Sequence, residues 1–218
     1  MTSFVLQQLL QQSFIRERYY VSDVDGRTFN GWYGVVLLID IHLPVMHFNL
    51  VNFPRSAMGR RLIYADVKLN ENELLRIGTV HLESLDSEQE RENQLNIIQN
   101  VFYTSPATYI LMGDFNFNAH GRENLRHFRT LSKWIDVWAF LQGPNNPGFT
   151  FDIETNTMTR ANSDAVERAR IDRIILQSQM ILPQNIEILG TKSIGKEGQL
   201  PIFPSDHYGL TAVFRMKR

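Results

Sequence analysis

Two neighbouring stretches, "RLIYADVKLN" (61–70) and "LLRIGTVHLES" (74–84), constrain the fold more than any other feature of the chain. In the first, Ile63, Ala65, Val67 and Leu69 fall on one face, because side chains alternate along an extended backbone. The polar turn "ENE" (71–73) between them makes the pair a β-hairpin. Extended text also covers "YGVVLLID" (33–40), "HFNLVNFP" (47–54), "TYILMG" (108–113), "RARIDRIILQS" (168–178) and "YGLTAVFRM" (208–216). The chain opens in helical text, with Leu6, Leu9, Leu10 and Ile15 at helical spacing behind Thr2 or Ser3 as cap. Ser87 and Glu90 form a capping box for another helix, and helical text returns from Glu123 to about Leu141. Strands dominate, with helices between them, which predicts an α/β or α+β layered sandwich and not a bundle.

Composition narrows the setting. At 218 residues, 43% hydrophobic and 21% charged, the chain fits one globular domain over 1–218. It has no cysteine, which rules out disulfides and thiolate-held zinc and favours a reducing compartment. The longest aliphatic run, "VVLLI" (35–39), is too short to cross a bilayer, and "MTSFVLQQLLQQ" lacks the basic residues of a signal peptide. The chain therefore reads as intracellular, with no membrane partner. A net charge of −1 gives no global pull toward nucleic acid. The 17 arginines against 5 lysines favour bidentate phosphate contacts, although compositional bias of the source explains the ratio equally well. Arg55, Arg60, Arg61, Arg122, Arg126 and Arg129 are candidates for a groove that follows phosphates, weighed against an ordinary solvated surface.

The polar ends of the strands carry the chemistry. "GDFN" (113–116) places Asp114 and Asn116 two apart, so an extended backbone would aim both one way. "HLES" (81–84) brings His81, Glu83 and Ser84, and "SDH" (205–207) brings Asp206 and His207. "IDRI" (171–174) sets Asp172 among apolar residues, where an unpaired charge is costly; Arg170 and Arg173 are nearby partners for it. Singly, each has a plain structural explanation. Together they offer oxygen donors and imidazoles without thiols, which suits a hard cation such as Mg²⁺ or Mn²⁺ and a metal-polarised phosphate.

In that order, "HLES", "GDFN", "IDRI" and "SDH" resemble the endonuclease/exonuclease/phosphatase superfamily of Mg²⁺-dependent phosphoesterases. "ENQL" (92–95), "IDVWAFL" (135–141), "FTFD" (149–152) and "FPSDHYGL" (203–210) resemble its branch containing tyrosyl-DNA phosphodiesterase of the second type. The resemblance runs from the opening helix to Phe214. It implies a four-layer α/β sandwich of two mixed β-sheets flanked by helices. It also implies a Mg²⁺-dependent (or Mn²⁺-dependent) phosphodiesterase acting on DNA, removing 5′-tyrosyl adducts from DNA ends in repair, in the nucleus or cytoplasm. Asp114 would hold or deprotonate the attacking water, and Asn116 would orient that water or a phosphate oxygen. His81 and His207 would donate to the phosphate, Asp172 would orient His207, and Ser84 would contact the phosphate. Asp114 and Asp206 would serve the metal. Phe151, where the branch has tryptophan, would stack on a base with less surface.

The family's first two strands, one carrying Asn and the next ending in "Q-E-V" with the principal metal-binding Glu, have no counterpart. Gln8 in "LQQL" is not assigned that role. An N-terminally incomplete domain is expected, with an unpaired edge and exposed aliphatic surface around "VVLLI". Another nuclease, a small-molecule or lipid phosphatase of the same superfamily, and an inactive pseudoenzyme stand as alternatives.

Overall fold

Thr2 opens the first helix, its hydroxyl accepting the amide of Val5 at 3.3 Å and satisfying a donor that a helix start leaves orphaned. That helix, α1 (Ser3–Gln11), breaks at extended Gln12 and resumes as α2 (Ser13–Arg18). Leu6 and Ile15 turn inward, whereas Phe4 and Phe14 stay exposed. This computed structural model describes residues 1–29, 33–71, 73–104, 108–163 and 167–217. The chain divides into two compact units, Met1–Gly113 and Asp114–Arg218.

In the first unit, β1 (Tyr19–Val21) pairs antiparallel with β2 (Leu38–Asp40), so the extended text at 33–40 yields a strand only at its end. Leu37 and Ile39 are buried in one apolar cluster with Ile63, Ala65 and Val67. Leu37 and Ile39 of "VVLLI" are thus buried and Val35, Val36 and Leu38 half-buried, while β2 pairs on one side only, in a two-stranded sheet with β1, and keeps an edge without a strand partner among the described residues. β3 (Val45–Asn52), β4 (Arg61–Lys68) and β5 (Leu74–His81) form an antiparallel series, and the predicted hairpin joins the last two, in register from Leu62↔Val80 to Lys68↔Leu74. Helix α3 (Glu88–Phe102) follows Ser87, although the Ser87 side chain makes no capping bond. It carries the chain over to β6 (Thr108–Asp114), the neighbour of β5, which makes the sheet mixed instead of a simple meander. On one face, Phe102 packs edge-on against Tyr109 at 5.7 Å. Both faces of β4 are covered, so Asp66 is buried. The directly opposed Arg76 pairs with it through two contacts of 2.7 Å, His47 Nε2 lies 3.1 Å from its Oδ2, and losing Arg76 would strip this buried carboxylate of its main counter-ion.

The second unit contains α4 (Arg122–Thr130), β7 (Ile135–Asp136), α5 (Val137–Gln142), α6 (Thr157–Asn162), β8 (Asp172–Gln177), β9 (Ile181–Leu189), β10 (Gly195–Glu197), β11 (Leu200–Ile202) and β12 (Gly209–Met216). The helical text at 123–141 is two helices, because the chain turns at Leu131–Trp134 and Asp136 then caps α5 through the Ala139 amide at 3.2 Å. β7 pairs with β8, β10 with β11, and β9 with β12, all antiparallel. β9 escaped the sequence reading because Pro183, Gln184 and Asn185 interrupt its apolar run. The ladder tolerates them with a register shift between Val213 and Phe214, opposite that proline.

Gly113, the penultimate residue of β6, has φ +130°, and a Cβ there would stand 2.0 Å from the Val80 carbonyl oxygen. Only glycine permits this approach of two strand backbones. Gly113→Ala combines backbone strain of about 1–3 kcal/mol with a displaced β5, so a loss of at least about 2 kcal/mol is expected in urea unfolding. A variant within about 0.5 kcal/mol of the parent would show that this backbone approach is not required.

Candidate active site

β6 ends at Asp114 and the chain then leaves extended geometry. Asn116 is left-handed (φ 55°), and its amide donates to Asp114 Oδ1 at 2.8 Å. The expected alternation that would put both side chains on one strand face therefore does not hold. A short acidic side chain caps its own turn instead, and asparagine tolerates the left-handed position. Backbone bonds from Phe115 to the Ile171 carbonyl (2.9 Å) and from Ala119 to the Arg170 carbonyl (3.1 Å) fasten this turn to the residues entering β8.

Asp172, the first residue of β8, does not pair with either neighbouring arginine. Its Oδ2 meets Nδ1 of His207 at 3.0 Å, with both side chains about three-quarters buried. Arg170 instead grips Asp136 at 2.6 and 2.9 Å. Arg173 donates to Asn124 Oδ1 (2.7 Å) and the Phe117 carbonyl (3.1 Å) and lies 3.4 Å from Asp136. Burial alone disfavours a charged His207 ring. The hydrogen bond and charge of Asp172, with the charges of Asp114 and Asp206, outweigh it and raise the ring from 6.5 to about 9. At neutral pH His207 is therefore an imidazolium, held through Nδ1, with Nε2–H as its second donor.

The carboxylates of Asp114 and Asp172 and a ring nitrogen of His207 lie within 4.8 Å of one another; while the ring is protonated, only the two carboxylates can bind a cation. Two carboxylates in one cluster fit a hard divalent cation, which takes one or two carboxylates and completes its shell with water and substrate oxygens. Asp206, expected beside the metal, lies outside this trio; its carboxylate accepts from Ser205 Oγ (3.2 Å) and Asn162 Nδ2 (3.4 Å). Phe151 meets the His207 ring edge-on at 5.1 Å. In the first unit, half-buried His81 faces Tyr33 with ring centroids 6.2 Å apart, and Ser84 Oγ approaches Met58 Sδ at 3.0 Å. Glu83 is structural: buried, it accepts from Ser56 Oγ, the Met58 amide and Gln94 Nε2. Gln8 is exposed on α1, away from any such role.

Sequence reasoning passed over the residues that hold this trio. Buried Thr150 accepts the amides of Ile171 and Asp172 on its hydroxyl (3.2 and 3.0 Å), and its carbonyl accepts the Tyr208 amide (2.7 Å). One residue, by its side chain and its carbonyl, thus joins the Asp172 and His207 segments. Asn156 caps α6 and donates to the Ser205 carbonyl at 2.9 Å, and Thr159 donates to the Asp206 carbonyl. The signal was available in "FTFD", where a hydroxyl between two aromatic rings has little reason to be buried unless it bonds backbone.

The model of the Endonuclease/Exonuclease/phosphatase family matches residues 3–207. The chain belongs to this family. Its relatives include tyrosyl-DNA phosphodiesterase 2 of Gallus gallus, 31% identical over 193 residues (85% of this chain, 50% of that protein). The Homo sapiens protein of the same name is 28% identical over 205 residues, covering 91% of this chain and 54% of its own length. The chain thus spans about half the length of the curated relatives it matches. Among solved structures, Danio rerio TDP2 complexed with single strand DNA product superposes with a TM-score of 0.78 at 23% identity, covering 99% of this chain and 83% of that one. A mannosyl-6-phosphatase of Bacteroides thetaiotaomicron shares the family fold at TM-score 0.62 and 14% identity, over 83% of this chain and 70% of its own. These likenesses bear out the α/β fold, with a mixed β-sheet flanked by helices.

Because the folded pKa of His207 lies above the unfolded 6.5, its contribution to stability is complete below about pH 6.5 and disappears as pH rises through about 9. Without added divalent cation, an NMR titration of the ring is expected to centre near pH 9, and Asp172→Asn to lower that midpoint by more than about one unit. A midpoint unmoved by Asp172→Asn would remove the aspartate from its positioning role.

Proposed function

We propose that the chain is a metal-dependent phosphodiester hydrolase acting on DNA ends, with a 5′-tyrosyl adduct as its substrate. The observation that carries this reading is the Asp172–His207 pair at 3.0 Å, with Asp114 in the same 4.8 Å cluster. The names of the relatives supply the adduct. Such a substrate would place the protein in the nucleus or cytoplasm.

His207 donates through Nε2–H to a non-bridging phosphate oxygen, where negative charge grows as water attacks. Asp172 fixes the ring so that this donor needs no reorientation during the reaction. Asp114 accepts a proton from, or orients, the attacking water, and the Asn116 carboxamide steadies the water or a phosphate oxygen. Mg²⁺ or Mn²⁺, held by Asp114 with Asp172 or Asp206 contributing, would supply Lewis-acid polarisation of the phosphate. His81 and Ser84 would be further donors to the phosphate on the family resemblance alone. Phe151 offers an aromatic surface to the terminal base, smaller than the branch's tryptophan.

A 5′-tyrosyl oligonucleotide is the decisive substrate. Cleavage is expected with Mg²⁺ or Mn²⁺, to stop on chelation, and to fall by about 10²–10³ in Asp114→Asn or His207→Ala, the usual cost of one preorganised group. Near-parental turnover in Asp114→Asn would refute the role of that residue. A strong preference for a mononucleotide, sugar or lipid phosphate would move the reading to a phosphatase.

A further inference from the structure

The structure sorts the six arginines that the sequence offers for phosphate contacts. Arg60 is buried, with its guanidinium 5.1 Å from the Tyr33 ring centre; Arg61 is half-buried and donates to the Thr28 carbonyl; Arg55 faces Glu90 at 3.9 Å. Arg122, Arg126 and Arg129, exposed like Arg55, are set apart by lying together on α4. At about 100° per residue, Arg126 sits about 40° to one side of Arg122 and Arg129 about 20° to the other, an arc of roughly 60°. Buried His127 lies on the other side of the helix. The helix's one acid, Glu123, bonds to that histidine at 2.9 Å and lies outside the arc. A merely solvated helix face ordinarily mixes signs; this one does not.

The head of α4 is fastened to the catalytic turn. The Gly121 amide donates to the Asn118 carbonyl at 3.0 Å and the His120 amide to Asn118 Oδ1 at 3.1 Å. The Arg173 guanidinium spans from the Phe117 carbonyl in the turn to Asn124 in the helix. From Arg122 to Arg129 the helix rises about 10 Å, which spreads three long guanidinium side chains far enough to meet successive phosphates of one strand. We infer that Arg122, Arg126 and Arg129 form a phosphate-binding ridge for a single DNA strand whose end enters the Asp114–Asp172–His207 site. This rests on the reading of the chain as DNA-directed. With a net charge of −1 the attraction is local to this ridge and does not come from the whole molecule.

The test uses the 218-residue chain and its R122Q/R126Q/R129Q variant. Fluorescence anisotropy in chelator follows binding of a single-stranded oligodeoxynucleotide from about 50 to 200 mM salt. Hydrolysis of bis(4-nitrophenyl) phosphate with Mg²⁺ reports the chemistry separately. Three lost phosphate contacts at about 0.7 each should flatten the slope of log K against log salt by about 2. The parent should accordingly lose on the order of 20-fold more affinity than the variant over that range. Small-diester hydrolysis should be unchanged, and R122K/R126K/R129K should keep the steep slope. A parental slope in the glutamine variant overturns the ridge, as does a flat slope in the lysine variant. Binding of the parent to phosphatidylserine vesicles in preference to the oligonucleotide would assign the ridge to a membrane and overturn it also. Absence of hydrolysis of either the small diester or the oligonucleotide would overturn the hydrolase reading instead, with the binding slope still deciding the ridge.

Discussion

Arg173 has no exposed side-chain surface, yet it carries a charge into the middle of the second unit. Burial pulls its guanidinium down to about 9 despite Asp136, so it remains charged at neutral pH. Removing one partner from such a buried arrangement costs about 3–5 kcal/mol, which makes every contact of the group a constraint on the fold. Its contacts are the carbonyl of the turn that follows Asp114, the side chain of Asn124 in α4 and the carboxylate of Asp136. The rings of Phe115, Phe117 and Phe128 surround it at 5.8, 4.6 and 5.5 Å. Asp136 also caps α5 and binds Arg170, the residue whose carbonyl receives the turn. Turn, helix and strand are therefore positioned by one set of ionic and aromatic contacts around the turn that follows Asp114.

The proposed function depends on these groups being held in place. Asp172 is adjacent in sequence to Arg173, so the network that anchors the turn also fixes the start of β8. Thr150 repeats the device on the other side, holding the Asp172 amide with its hydroxyl and the Tyr208 amide with its carbonyl. On the proposed reading, an imidazolium held between these anchors would meet developing phosphate charge without reorganising, and that is where preorganised donors contribute most to rate. The same rigidity would carry the arginine ridge of α4 in constant register with the site.

The hairpin of β4 and β5 was legible because strict alternation over eight residues admits no other reading. Asp114, Asn116, Asp172 and His207 were legible as candidates because each stands at or beside a strand end where polar side chains have few structural uses. Their geometry was not. The spacing of Asp114 and Asn116 suggested a shared strand face, whereas hydrogen bonding from the Asn116 amide to the Asp114 side chain makes a turn. Asp172 had two arginines within two residues, and local sequence could not show that both prefer Asp136, more than thirty residues earlier. Thr150, Asn156 and Pro183 act through backbone bonds and a register shift, which leave no hydrophobic period to read.

The arrangement is tested most directly by paramagnetic broadening of amide NMR signals on addition of Mn²⁺. Broadening decays steeply with distance from the ion, so it maps the cation without reference to turnover. Signals from Asp114, Asn116, Asp172 and His207 should vanish first in the parent, and Asp114→Asn should require much more Mn²⁺ for the same effect. Broadening centred elsewhere in the chain, or an Asp114→Asn protein that responds like the parent, would contradict a metal-assisted phosphoester site built on this trio.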